Sequence, residues 1–187
     1  MSGSIEAITG CMFAGKTEEL LRRLRRAEIK GDQEIEIIKP EVDDRYGEET
    51  VTTHNGADWE ATVIPSNRQG KKMVDDMSAD VLAVDEFNFF NKYFLPLLQK
   101  KADNGTRVII VGLDQTYRGE PFTPMENALA VADEVQKLTA ICDKCGSEAT
   151  KTQRLVDGEP APEDMATIIV GGEESYEARC RDCHELK

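Results

Sequence analysis

Eight residues near the start of the chain, Gly10-Cys11-Met12-Phe13-Ala14-Gly15-Lys16-Thr17, have the spacing of a loop that holds phosphates. Gly10 and Gly15 let the backbone curl with its N–H groups pointing inward, and a helix beginning at Lys16 adds its positive end. Lys16 supplies a point charge for the terminal phosphates and Thr17 a hydroxyl for Mg²⁺. Further along, "DVLAVDE" (80–86) is an apolar run closed by Asp85 and Glu86. An acid at the end of a buried strand, downstream of a phosphate loop, suits a second Mg²⁺ contact. Glu86 is then placed to take a proton from an attacking hydroxyl.

A second chemistry sits near the C-terminus. Cys142-x-x-Cys145 and Cys180-x-x-Cys183 form two pairs. Four thiolates in two such knuckles suit tetrahedral Zn²⁺ and leave no open position for catalysis, so the metal reads as structural. His184 is a neighbouring alternative ligand, and the spacing favours Cys183. Between the pairs runs a long polar, glycine-rich stretch containing "TIIVGG" and Tyr176. A loop of that length in a compact domain, anchored by a metal at its base, reads as a lid. "VGLDQTYRGEPF" places Tyr117 and Phe122 after the apolar strand 106–111, where open α/β sheets bind ligands. The aromatics would line a pocket for a flat base or plug the loop onto the core. A polar loop at 39–56 with Asp43, Arg45 and His54 would help position phosphates.

These residues need a frame. "IEAIT", "EIEIIK" (34–39), "ATVI" (61–64), 81–84 and 106–113 read as strands, separated by helical patterns. From Lys16 the positions Leu20, Leu21, Leu24 and Ala27 follow helical spacing, with Gly31 as a stop. A helix around a Pro96 kink ends at Gly105, and "PMENALAVADEV" forms another with Pro124 in its first turn. The alternation predicts an α/β fold of the P-loop NTPase type: a mainly parallel sheet with helices on both faces and 81–84 and 108–111 as central strands. Composition changes near Leu138. The expectation is a P-loop ATP-binding α/β domain over 1–138 and a small zinc-binding lasso or lid domain over 139–187.

The net charge of −13 has the wrong sign for a general nucleic-acid binder. The local cluster Arg22, Arg23, Arg25 and Arg26 reads as a solvated helix face. The acidic excess would also suit work at high salt. No apolar run is long enough to cross a bilayer, and the opening "MSGSIEAITG" has no basic region followed by an apolar one. The expected compartment is the cytoplasm, with neither nucleic acid nor membrane as a partner. There, paired cysteines point to metal rather than disulfides.

Jointly, "GCMFAGKTEEL", "KPEVDDRYG", "THNG", "DEFNFF", "GLDQTYRGEPF", "KLTAICDKCGSEAT", "TQRL" and "VGGEESYEARCRDC" resemble the type II thymidine kinases, from about Ile5 to Cys183 and in the right order. The resemblance implies transfer of the γ-phosphate of ATP to the 5′-hydroxyl of thymidine, and also of deoxyuridine, in nucleotide salvage. It implies Mg²⁺, structural zinc, a homotetramer and feedback inhibition by dTTP. It puts Gly10 through Thr17 on the ATP phosphates, with Asp43, Arg45, Asp85 and Asn88 in the same environment and Glu86 as general base. Met12, Leu113, Tyr117 and Phe122 match nucleoside-pocket positions. Val170, Gly171, Gly172 and Tyr176 match the lasso that holds the base. The alternative is another P-loop nucleoside kinase or NTPase with a zinc-stapled lid. Four positions depart from the pattern, one of them Phe87, where the family more often has a small residue. Cys11 replaces a proline and, beside a helix N-terminus, would be acidic and oxidation-prone. Asn88 stands for a glutamine one methylene longer. Tyr117 stands where phenylalanine is common, and its hydroxyl needs a partner if buried.

Overall fold

The computed structural model describes residues 3–41, 50–52, 58–167 and 175–187. Six strands form the main sheet: β1 (Ser4–Gly10), β2 (Ile35–Pro40), β5 (Thr62–Ile64), β6 (Val81–Val84), β7 (Arg107–Gly112) and β8 (Glu134–Leu138), in the order β5-β2-β6-β7-β1-β8. Every pairing in it is parallel. The apolar runs of β6 and β7, buried except at Arg107, occupy the centre. A short antiparallel pair, β3 (Thr50–Thr52) and β4 (Asp58–Glu60), follows β2.

Alternation along the central strands feeds two cores. Ile5 and Ala7 of β1 and Val108 and Ile110 of β7 pack with α2 (Arg68–Asp76), α3 (Leu95–Asp103) and α4 (Met125–Val131) through Val74, Leu98 and Met125. Ile8, Ile109 and Val111 turn the other way, onto Leu20, Leu21, Leu24 and Ala27 of α1 (Lys16–Lys30). Helices therefore cover both faces, as a parallel sheet requires. Glu18 and Glu19 at the start of α1 and Lys30 at its end suit the helix dipole.

Two local features differ from expectation. Pro96 lies in the first turn of α3, where its missing N–H leaves nothing unsatisfied, so it starts the helix instead of kinking it. The helix after Pro124 ends at Val131, and it is followed by strand β8, which lies at the sheet's edge among the described residues and lacks an apolar run because it is largely exposed. α2 also forms despite Gly70, capped by the Asn67 side chain, which accepts from the Gln69 and Gly70 amides.

The main sheet ends at Leu138. Beyond it come the hairpin β9 (Ala140–Ile141) and β10 (Glu148–Ala149), then β11 (Lys151–Val156) flanked antiparallel by β12 (Glu159–Pro160) and β13 (Ser175–Arg179). A third small core, Cys11, Ala140, Cys142, Ala149, Ala178 and Cys180, joins this segment to the loop after β1.

Candidate active site

The C-terminal ends of β1, β6 and β7 converge on one edge. Residues 10–17 leave β1 there and open α1. Gly10 has φ 147°, and a Cβ on it would lie 2.5 Å from the Leu138 carbonyl oxygen, so no other residue fits this turn. Phe13, exposed, takes φ 64°, an uncommon geometry for a side chain of its size. Lys16 folds back over the loop and donates from Nζ to the Cys11 carbonyl at 2.8 Å. Burial pushes its ammonium below the usual lysine range, while Glu86, Cys11, Asp85 and Asp114 act in the opposite sense. A lysine within electrostatic reach of three carboxylates is the charge pattern that phosphate and Mg²⁺ chemistry demands.

Asp85 is buried at the end of β6, and its Oδ1 accepts the Glu86 amide at 3.0 Å. Glu86 itself has φ 52°, a left-handed geometry held by the turn that opens the 3-10 segment Phe87–Phe89. Such strain concentrates at functional positions. Asn88 is buried, and its Oδ1 accepts the Leu113 amide at 2.9 Å. That packing requires Gly112, since a Cβ there would stand 2.8 Å from the same oxygen.

Met12, Leu113, Tyr117, Phe122 and Tyr176 line one cavity beside this edge. The Tyr117 hydroxyl reaches carbonyl oxygens at 162–165, the nearest being Pro162 at 2.9 Å. It thus finds its partner in the segment after β12 while its ring borders the cavity. Asp43, Arg45, His54, Val170, Gly171 and Gly172 lie outside the described residues.

The four paired cysteines come together. One ligand atom from each of Cys142, Cys145, Cys180 and Cys183 lies within 4.8 Å of all the others. The Cys145 and Cys180 sulfurs stand 3.7 Å apart. That is far beyond a disulfide and close to the ~3.8 Å edge of a tetrahedron with ~2.3 Å Zn–S bonds. The cluster is compatible with a zinc site. His184 faces away from it, its Nε2 2.8 Å from the Tyr117 carbonyl.

The family model described as thymidine kinase matches residues 3–184. The chain belongs to the thymidine kinase family. It is similar to the thymidine kinase of Haloquadratum walsbyi, at 49% identity over 218 residues covering 100% of this chain and 96% of the relative. It is likewise similar to that of Halobacterium salinarum, at 50% over 188 residues with the same coverage. A large terminase of the thermophilic bacteriophage D6E shares 10% identity at a TM-score of 0.45, covering 74% of this chain and 40% of the terminase, a likeness too distant to bear on function.

Within this thymidine kinase frame, two expectations need correction. Cys11 is 3% exposed; burial, the largest influence, raises its thiol above the usual range, and its Sγ donates to the Ala149 carbonyl at 3.4 Å. It is a packing residue between the phosphate loop and the cysteine knuckles, the opposite of an acidic, reactive thiol. Arg23 is no solvated residue of a helix face. It is 6% exposed and donates to Glu6, Glu19, Glu134 and Gln136. Arg107 shares Glu6, at 2.6 Å from its Nε.

Other residues of this edge carry little local sequence signal. Asp114 is buried after β7, with Oδ2 2.6 Å from Lys137 Nζ and Oδ1 without a hydrogen-bond partner among the described residues. Thr152, on β11, accepts the Met12 amide at 3.1 Å, so the C-terminal segment holds the phosphate loop directly. Thr152 and Thr167 also line the cavity. The position of "DQTY" after an apolar strand was the one available hint to Asp114; a threonine on a strand gives none.

Proposed function

We propose that the protein transfers the γ-phosphate of ATP to the 5′-hydroxyl of thymidine, and of deoxyuridine, giving the 5′-monophosphate for nucleotide salvage. The observation that supports this most is a single sheet edge. It brings Lys16, the Asp85–Glu86 pair and an aromatic cavity bounded by Met12 and Tyr176 within one site. Residues 1–138 would bind ATP, and 139–187 would complete the acceptor site.

In this reading the amides of 10–17 and Lys16 hold the phosphates, Lys16 exchanging the Cys11 carbonyl for the transferring group. Glu86 orients the 5′-hydroxyl and takes its proton. Tyr117, Phe122, Leu113 and Met12 enclose the base, with Tyr176 and the backbone of Val170, Gly171 and Gly172 closing over it and excluding water. The oxygen donors at this edge suit Mg²⁺: Thr17 and Asp85 would hold it, with Asp43 and Arg45 in the same environment, and it supplies charge neutralisation. Asn88 supports the site from below through Leu113. Structural zinc on Cys142, Cys145, Cys180 and Cys183 would fix the C-terminal segment. The family resemblance adds a homotetramer inhibited by dTTP; light scattering checks the first, and turnover measured with and without dTTP checks the second.

The deciding experiment is ADP release measured against a panel of nucleosides. Release that depends on thymidine and deoxyuridine is expected. Release indifferent to any nucleoside would overturn the reading in favour of a plain NTPase.

A further inference from the structure

Arg118 follows the cavity residue Tyr117 and is not itself part of the cavity wall. Its guanidinium reaches three acceptors in one short segment. Nε donates to the Glu163 carbonyl at 2.6 Å, Nη2 to the Met165 carbonyl at 2.6 Å and Nη1 to Thr167 Oγ1 at 2.8 Å. The Tyr117 hydroxyl lies 2.9, 3.2 and 3.0 Å from the carbonyls of Pro162, Glu163 and Met165. One O–H proton satisfies one of these at a time, so Arg118 carries the rest of the turn. Arg154, fully buried, adds a bond from Nη1 to the Ala166 carbonyl at 2.6 Å. Both guanidiniums lie against the Tyr117 ring, 4.8 and 5.2 Å from its centroid. Among the described residues the carboxylate paired with Arg118, that of Glu120, is 3.7 Å away and largely exposed, so it contributes little.

Almost every acceptor here is a backbone carbonyl. The clamp therefore fixes where the turn lies, whatever its side chains. Thr167, in the same segment, lines the same cavity as Met12, Leu113 and Tyr117. We propose that Arg118, aided by the Tyr117 hydroxyl and Arg154, is a positioning residue that fixes the Thr167 wall of the acceptor cavity before substrate arrives. The inference rests on reading that cavity as the nucleoside site. Without the fork of donors the turn's carbonyls turn to water, and ordering them falls on the binding step rather than on phosphoryl transfer. Lysine cannot replace the arginine, because a single ammonium does not span three acceptors in a plane.

The test is steady-state kinetics on the full chain, with amide hydrogen exchange over 162–167. Arg118→Lys should raise the thymidine KM by about tenfold, with the ATP KM within about twofold and kcat falling less than KM rises. Exchange over 162–167 should quicken without thymidine and slow again at saturation. Glu120→Gln should change none of these. Tyr117→Phe, with a smaller rise in KM, tests the same point should Arg118→Lys lower the Tm. Unchanged thymidine KM and exchange in Arg118→Lys, or equal rises in both KM values, would overturn the clamp. A wild-type protein inert toward every nucleoside would sink the site reading instead, and the exchange comparison would then judge the clamp alone.

Discussion

Glu86 reaches its position only through a left-handed backbone geometry, which costs on the order of 1–3 kcal/mol and needs the surrounding turn to hold it. That geometry turns the chain from β6 into the Phe87–Phe89 turn. Replacing Glu86 with Gln keeps shape and removes the base. Turnover should fall by about 10²–10⁴-fold, with thymidine affinity by calorimetry nearly unchanged; near-normal turnover would remove Glu86 as base. Cys11 makes the opposite kind of prediction. Buried against Ala149, it should stay unlabelled by iodoacetamide in the native protein, as peptide mass spectrometry would show, and react once the chain unfolds. Lys16, Asp85 and Glu86 were legible in the sequence because each follows a strand whose apolar run is local. Asp114, Arg118 and Arg23 were not. Their partners lie far along the chain, Gln136 for Arg23 and Met165 for Arg118, and nothing in a charge run marks which member is buried.

Among the elements, α2 depends on its cap. The Asn67 side chain serves two amides at the helix start, so Asn67→Ala should cost about 1 kcal/mol in chemical denaturation, with activity kept because β5, the strand that leads into α2, is separated by β2, β6 and β7 from the strand that carries the phosphate loop. The zinc knuckles should behave differently. Four thiolates forming one closed site predict ~1 zinc per chain by metal analysis. Stripping it with a chelator should weaken ATP binding as well as stability, because the small core holding Cys142 and Cys180 also contains Cys11 of the phosphate loop. A freshly purified protein without zinc would sink this. The apolar central strands and α1 stood out in the sequence through their periodicity. β8 did not, because an edge strand exposed along much of its length has no apolar alternation to detect, and neighbouring β1 decides its pairing.

Across the whole molecule, a charge network centred on the buried Arg23 and Glu6 ties the helix α1 to three strands. Glu6 of β1 accepts from Arg23 of α1 and Arg107 of β7, and Arg23 continues to Glu134 and Gln136 of β8. Hydrogen bonds from Arg22, opposed by burial and joined by those from Arg23, hold the Glu19 carboxyl down to about 2. A depressed carboxylate contributes stability that is full above its unfolded value near 4.5 and is lost as pH falls through about 2. The Tm difference between wild type and Glu19→Gln should therefore be constant above about pH 5 and close progressively below pH 4.5. A difference independent of pH would exclude this pair as the cause. The same sheet has a consequence for the site's dimensions. β7 lies between the strand that carries the phosphate loop and the strand that carries the acids, so it acts as a spacer of two ladder steps, about 9.6 Å from strand to strand. The strands that lead to Lys16 and Glu86 are thus set one strand apart, and the two side chains meet electrostatically across the end of β7. Changes in the twist or pairing of β7 should thus alter turnover while leaving both groups chemically intact, and the Gly112–Asn88 packing at its end is where such a change would begin.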